Sequence, residues 1–179
     1  MTTYITVLRA INLGAHNRIA MADLKAMLTS LGYVDPATLL VSGNAVFKAP
    51  GKSSAAIERM LEAASTETLG VTTDYFVRSA KEWKAIIDAN PFPKQAKADP
   101  SRTVMMCLRD APTAAQVKSL QASIKGREIV QADGRHAYFH YPDGQGRSKL
   151  TIAVIEKALG TRGTARNWNT VLKLAELAS

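Results

Sequence analysis

The sequence predicts an α+β fold of two ferredoxin-like units, each β-α-β-β-α, packed in one compact chain. Three observations predict it. Short runs rich in β-branched and aromatic residues alternate with apolar stretches of helical period. The same order of elements occurs twice, as pattern and not as sequence identity. Between the two copies lies a stretch, PKQAKADPS, without a large apolar side chain. The expected division is a first half at 1–93 with an added helix, a linker at 94–101, and a second half at 102–179 with a C-terminal helix.

The elements follow in order. Residues 4–8 (YITVL) read as a strand. Met21, Leu24, Met27, Leu28 and Leu31 share one helical face, which Gly32 closes as a left-handed cap. Residues 37–41 and 45–47 read as strands on either side of Ser42-Gly43-Asn44. Ile57, Met60, Leu61 and Ala64 mark a second helix, and 71–77 (VTTDYFV) a fourth strand. Ser79 and Glu82 form a capping box for an added helix that Pro91 ends. In the second half, 102–108 is a strand. Thr113 and Gln116 cap a helix expected to run to Gly126. Residues 128–132 and 136–141 flank Asp133-Gly134, a hairpin signal whose two turn positions both want positive φ. A helix at 148–159, ended by Gly160, and a last helix at 169–178 complete the reading.

The chain has 179 residues and 19.3 kDa, 46% hydrophobic and 21% charged, which excludes disordered, collagenous and coiled-coil classes. One cysteine excludes an intramolecular disulfide framework and a multi-cysteine metal site. The first residues carry no secretory leader pattern, and no apolar run reaches the ~20 residues that span a bilayer. A cytoplasmic location with no membrane partner is therefore expected. The formal net charge is +8, and nearly all of it lies in the second half: +1 over 1–93 and +7 over 94–179. That asymmetry points to an anionic partner, nucleotide or nucleic acid, or to a plain cationic surface.

Three polar segments stand out. RAINLGAHNRIA at 9–20 makes a connection of roughly ten residues where about 2–6 is usual, and offers Arg9, Asn12, Asn17 and Arg18. Its asparagines could equally satisfy their own turns. Ser42-Gly43-Asn44 is a tight turn with two polar side chains, Ser42 and Asn44. The third segment is basic: residues 147–173 hold six Lys/Arg against one acid, a net +5. There Arg147, Ser148 and Lys149 open the expected helix at 148, whose unpaired N–H groups would attract a phosphate. Arg166 would give a bidentate contact, with Asn167 and Asn169 orienting a base or fixing the loop. GQGRSK lacks the spacing of a P-loop. Trp168 reads as a core anchor.

Conventional catalytic groups are missing from this pattern. His16 lies in the first loop. His136 and His140, four apart on a strand, sit ~13 Å from each other and cannot share a metal. Cys107, inside VMMCL, reads as a small buried apolar residue. No metal ligand set and no cofactor motif are read, and no catalytic residue is assigned.

LRAINLGAHNRIAMADLKAML, VSGNAVF, ANPFP, YPDGQGRSKL and TARNWNTVLKL resemble the bacterial domain of unknown function 1697 family, across essentially the whole chain. The resemblance implies a small cytoplasmic protein of two ferredoxin-like halves and supplies no reaction. Arg9, Asn12, Gly14, Asn17, Ser42, Gly43, Asn44, Ser148, Lys149, Arg166, Asn167, Trp168 and Asn169 fit the family pattern. Ala10 and Ala15 replace its glycines, Ala20 a proline and Val41 a glutamine. A family ligand would then be bound differently here, or held more by the C-terminal cluster.

The leading expectation is binding of a phosphate-bearing ligand, nucleotide or nucleic acid, by the basic cluster, with 9–18 as a second wall. Two alternatives stay open: an enzyme on a small phosphorylated or nucleoside substrate, and a protein-interaction module without ligand. The sequence sets no oligomeric state.

Overall fold

The computed structural model describes residues 1–179. The chain divides into two compact units: Met1–Ala85 with Lys173–Ser179, and Ile86–Leu172. The division falls at Ala85 and Ile86 rather than in the expected linker. Part of that segment coils into a short helix, because Pro93 sits at its first turn, where a missing N–H costs nothing.

Unit 1 contains β1 (Thr2–Leu8), α1 (Met21–Ser30), β2 (Val34–Thr38), β3 (Asn44–Ala49), α2 (Ser54–Ala64) and β4 (Tyr75–Ser79). Its antiparallel sheet runs β2-β3-β1-β4. The helix α1 ends as expected: Gly32 takes φ 81, Gly32 N donates to Thr29 O and Tyr33 N to Leu28 O, a Schellman closure. The core joins Leu24, Leu28, Ile57 and Leu61 of the helices to Tyr4, Leu8 and Phe47 of the sheet. Each such side chain contributes about 1.5–3 kcal/mol by leaving water. The α3 helix (Ala80–Asp88) follows, opened by the Ser79–Glu82 capping box, with Glu82 N donating to Ser79 Oγ at 3.1 Å and Ser79 N to Glu82 Oε2 at 2.6 Å.

Unit 2 follows α4 (Pro93–Ala98) with β5 (Thr103–Leu108), α5 (Ala114–Ser123), β6 (Ile129–Asp133), β7 (His136–His140), α6 (Ile152–Leu159) and β8 (Gly163–Asn167). Its sheet order is β6-β7-β5-β8, the same topology. The final helix, α7, is Trp168–Leu177. Thr113 and Gln116 form the expected capping box. The hairpin turns one residue later than expected: Asp133 pairs with His136, so Gly134 and Arg135 are the central residues. Only Gly134 has positive φ, which suits a Gly-X turn of type II′.

The eighth strand is the main departure from the sequence reading, which ended unit 2 in two helices. Thr164-Ala165-Arg166-Asn167 has no large apolar residue to signal a strand, yet it pairs with β5 from Leu108↔Gly163 to Val104↔Asn167. Gly163 is required, since a Cβ there would lie 2.5 Å from Cys107 O. The strand registers repeat between units. Tyr4 faces Phe47 and Ser79, and Val104 faces Phe139 and Asn167. Arg78 and Arg166 hold matching places, each donating Nη1 to the carbonyl before it, at 2.8 and 2.9 Å.

The outward amides of β4 and β8 find glutamates on the helices. Tyr75 N donates to Glu62 at 3.1 Å and Val77 N to Glu58 at 3.0 Å, while Gly163 N donates to Glu156 at 3.0 Å. Glu58 also pairs with buried Arg78 at 3.3 Å. Removing that carboxylate takes an acidic partner from a buried guanidinium and the acceptor from Val77 N, so Glu58→Ala should lower unfolding free energy by about 3–5 kcal/mol in urea titrations. A loss below about 1 kcal/mol would contradict this account.

Buried His140 bonds Thr103 through Nδ1 at 3.0 Å, and burial holds its pKa below the ordinary 6.5. The native state thus binds fewer protons than the unfolded one. Its contribution is whole above pH 6.5 and is lost as pH falls through the depressed folded-state value. The urea midpoint should be higher at pH 7.5 than at 5.5, and the difference should shrink in His140→Gln.

Candidate functional site

The three polar segments have distinct structural fates. In unit 1 the first two meet. Asn12 donates Nδ2 to Ile19 O at 2.9 Å and to Val41 O at 2.7 Å, and its Oδ1 accepts from Ile19 N at 2.9 Å. Asn12 N also bonds Asn17 O at 3.0 Å. Buried Asn44 donates to Leu39 O and to Ser42 Oγ, at 2.7 and 3.0 Å. Gly43 is obligatory here: its φ is 91 and a Cβ would strike Ile11. These asparagines close their own loops, the alternative use of Asn that the sequence left open. Ala10, Asn12, Asn17 and Leu40 all take positive φ, so the loops hold strained backbone at four non-glycine positions. Arg9 backbone is anchored to Asp74 O and Thr73, and Arg18 is exposed.

In unit 2 the basic cluster divides. The expected helix N-terminus at Ser148 is not there: α6 begins at Ile152, and Thr151 caps it by accepting from Val154 N. The chain first makes a Tyr141-Pro142-Asp143-Gly144 turn, with Gly144 N on Tyr141 O at 3.0 Å, and then a short 3₁₀ turn, Gln145–Arg147. Arg166 is buried on β8, bonded to Thr164 Oγ1 at 2.8 Å, and burial pushes its pKa down to about 10. Asn167 caps α7 by accepting from Thr170 N at 3.1 Å, and Asn169 is exposed on that helix's first turn. β8 lies three strands from β6, ~14 Å at the usual spacing, so Arg166 does not join the groups beside β6.

Beside β6 there is a cavity of about 490 Å³, lined by Ile124, Lys125, Glu128, Arg147, Lys149 and Val154 among others. The α5–β6 connection forms one wall, and the loop before α6 forms the other. Two polar contacts hold the walls together. Ser148 Oγ donates to Glu128 Oε1 at 2.7 Å and accepts from Leu150 N at 3.0 Å. On the rim Arg127 pairs with Asp143, whose carboxyl it holds below the usual range. Buried Tyr141 donates to Leu150 O at 3.2 Å and fixes the floor. Gly126 does not cap α5, which ends at Ser123; it leaves room for Glu128 Oε2, which a Cβ would strike.

Lys125, Arg147 and Lys149 are exposed on this lining, and Arg147 adds to the positive field that lowers the pKa of the Asp143 carboxyl. Arg147 and Lys149 were predicted, and Ser148 serves as the clamp. Lys125, Gly126 and Glu128 were missed; the dense charge of Lys125-Gly126-Arg127-Glu128 after a helix was the available signal. A second hollow, about 370 Å³, includes Glu156, which is already committed to Gly163 N.

A family model described as a protein of unknown function, DUF1697, matches residues 1–138. None of the curated proteins compared matches the chain. Among solved structures, a conserved bacterial protein from Streptococcus pneumoniae is similar at 20% identity and a TM-score of 0.76, covering 99% of each chain. That likeness is one of fold. No helix is long and apolar enough to cross a membrane.

Ser148→Ala removes the clamp bond to Glu128 and the local acceptor for Leu150 N and should cost about 1 kcal/mol, lowering Tm by about 2–4 °C in calorimetry. An unchanged Tm would show that the clamp contributes nothing to the fold.

Proposed function

Because the chain belongs to the DUF1697 family of proteins of unknown function, and fold alone decides no activity, we propose from the cavity itself that the protein binds a small phosphate-bearing ligand of nucleotide size. One observation carries the reading: three exposed cations line a cavity of about 490 Å³ with an apolar wall. That volume is in the range of small-molecule sites, about 300–1,000 Å³. Arg147 would grip phosphate oxygens through its planar fork, while Lys125 and Lys149 add point charges. Ile124, Leu150 and Val154 would receive the apolar or planar part.

Concavity favours a nucleotide over nucleic acid. A strand asks for a groove that follows several phosphates, with aromatic faces for its bases, and no aromatic side chain lines this cavity. Binding is favoured over catalysis because the lining supplies charge and shape, with no histidine or cysteine among its residues. A cytoplasmic location goes with this ligand class and with a lone cysteine.

Calorimetric titration with nucleoside monophosphates at modest salt tests the proposal. The double variant Arg147→Glu, Lys149→Glu should bind at least about tenfold more weakly and with a flatter salt dependence. Unchanged affinity in that variant would contradict the assignment.

A further inference from the structure

Resting on the phosphate-ligand reading, we infer that the cavity is a guanine-nucleotide site in which Glu128 reads the base. Glu128 is the one carboxylate among the lining residues. Ser148 Oγ donates to Oε1 at 2.7 Å and holds the carboxylate at the cavity wall, beside Gly126. A carboxylate set among three cations contributes nothing to holding a phosphate and opposes it. Its chemistry is that of an acceptor, with about four lone-pair sites, of which Ser148 uses one.

The partner it fits is a pair of adjacent N–H donors. Among the nucleobases only guanine offers this, through N1–H and the N2 amine. Adenine and cytosine set a ring acceptor beside their amine, and uracil flanks its single N–H with two carbonyls. Each of those would bring a lone pair against the carboxylate, and a site built for a donor rejects ligands that lack it. Val154, an apolar side chain 42% exposed on the cavity wall, gives the ring a surface to cover, with Ile124 and Leu150. Arg147, Lys149 and Lys125 remain for the phosphate.

The test is calorimetric titration of GMP, AMP, CMP and UMP into the full chain and into Glu128→Gln. Glutamine keeps an acceptor for Ser148, so the variant should melt with the wild type. Wild-type protein should bind GMP about tenfold or more tightly than the other three. Glu128→Gln should lose that preference and bring GMP to the level of AMP. Equal binding of all four, weakened together by Arg147→Glu with Lys149→Glu, would overturn the guanine assignment and leave the phosphate site standing. No binding by any of the four would overturn both. A wild-type GMP preference that persists in Glu128→Gln would remove Glu128 as the reader.

Discussion

A sheet edge that lies against a helix must find acceptors for its outward amides, and this requirement orders both units. Each unit closes on an edge strand, β4 or β8, whose amides point away from the sheet. On α2, Glu58 and Glu62 are one turn apart and take Val77 N and Tyr75 N. On α6, Glu156 takes Gly163 N, and the position one turn earlier is Ile152. An unsatisfied amide at such a place costs as much as a lost hydrogen bond. The carboxylates therefore fix where each helix lies along its strand. In unit 2 that placement sends the first turn of α6, with Val154, to the cavity wall.

The cavity is a consequence of how the two connections beside β6 are tied. Glu128 and Ser148 come from different connections, and their bond closes one wall onto the other. Arg127 and Asp143 repeat the tie at the exposed rim, where solvent screens such pairs and they add little. The other three cations of the lining, Lys125, Arg147 and Lys149, are exposed. Arg78 lies buried against Glu58, whereas these three face water. That concentration of exposed positive charge beside an apolar wall is the basis of the functional reading.

The first seven strands and every helix but α4 were readable because their apolar residues repeat at two or at 3.6, whereas α4 lies in the stretch that reads as a linker for want of a large apolar side chain. Capping residues were readable too: Ser79, Thr113 and Gly32 act as their local chemistry dictates. β8 was not, because its buried side is made of Thr164 and Arg166, residues that hydropathy counts as surface. The α6 start lies four residues later than expected because Ser148 and Thr151 are both good caps, and only the contact with Glu128 distinguishes them. Arg147 and Lys149 could be picked out by charge density. Glu128 and Gly126 could not, since their role rests on a clearance between atoms two residues apart in a loop.

The most direct test of the account is a titration of the ¹⁵N-labelled protein with a nucleoside monophosphate, followed by amide NMR. The perturbed amides should lie in 123–128 and 147–154, with 9–18, 42–44 and Arg166 unmoved. Shifts centred on 9–18 and 42–44, or no shifts at ligand concentrations in the millimolar range, would contradict it.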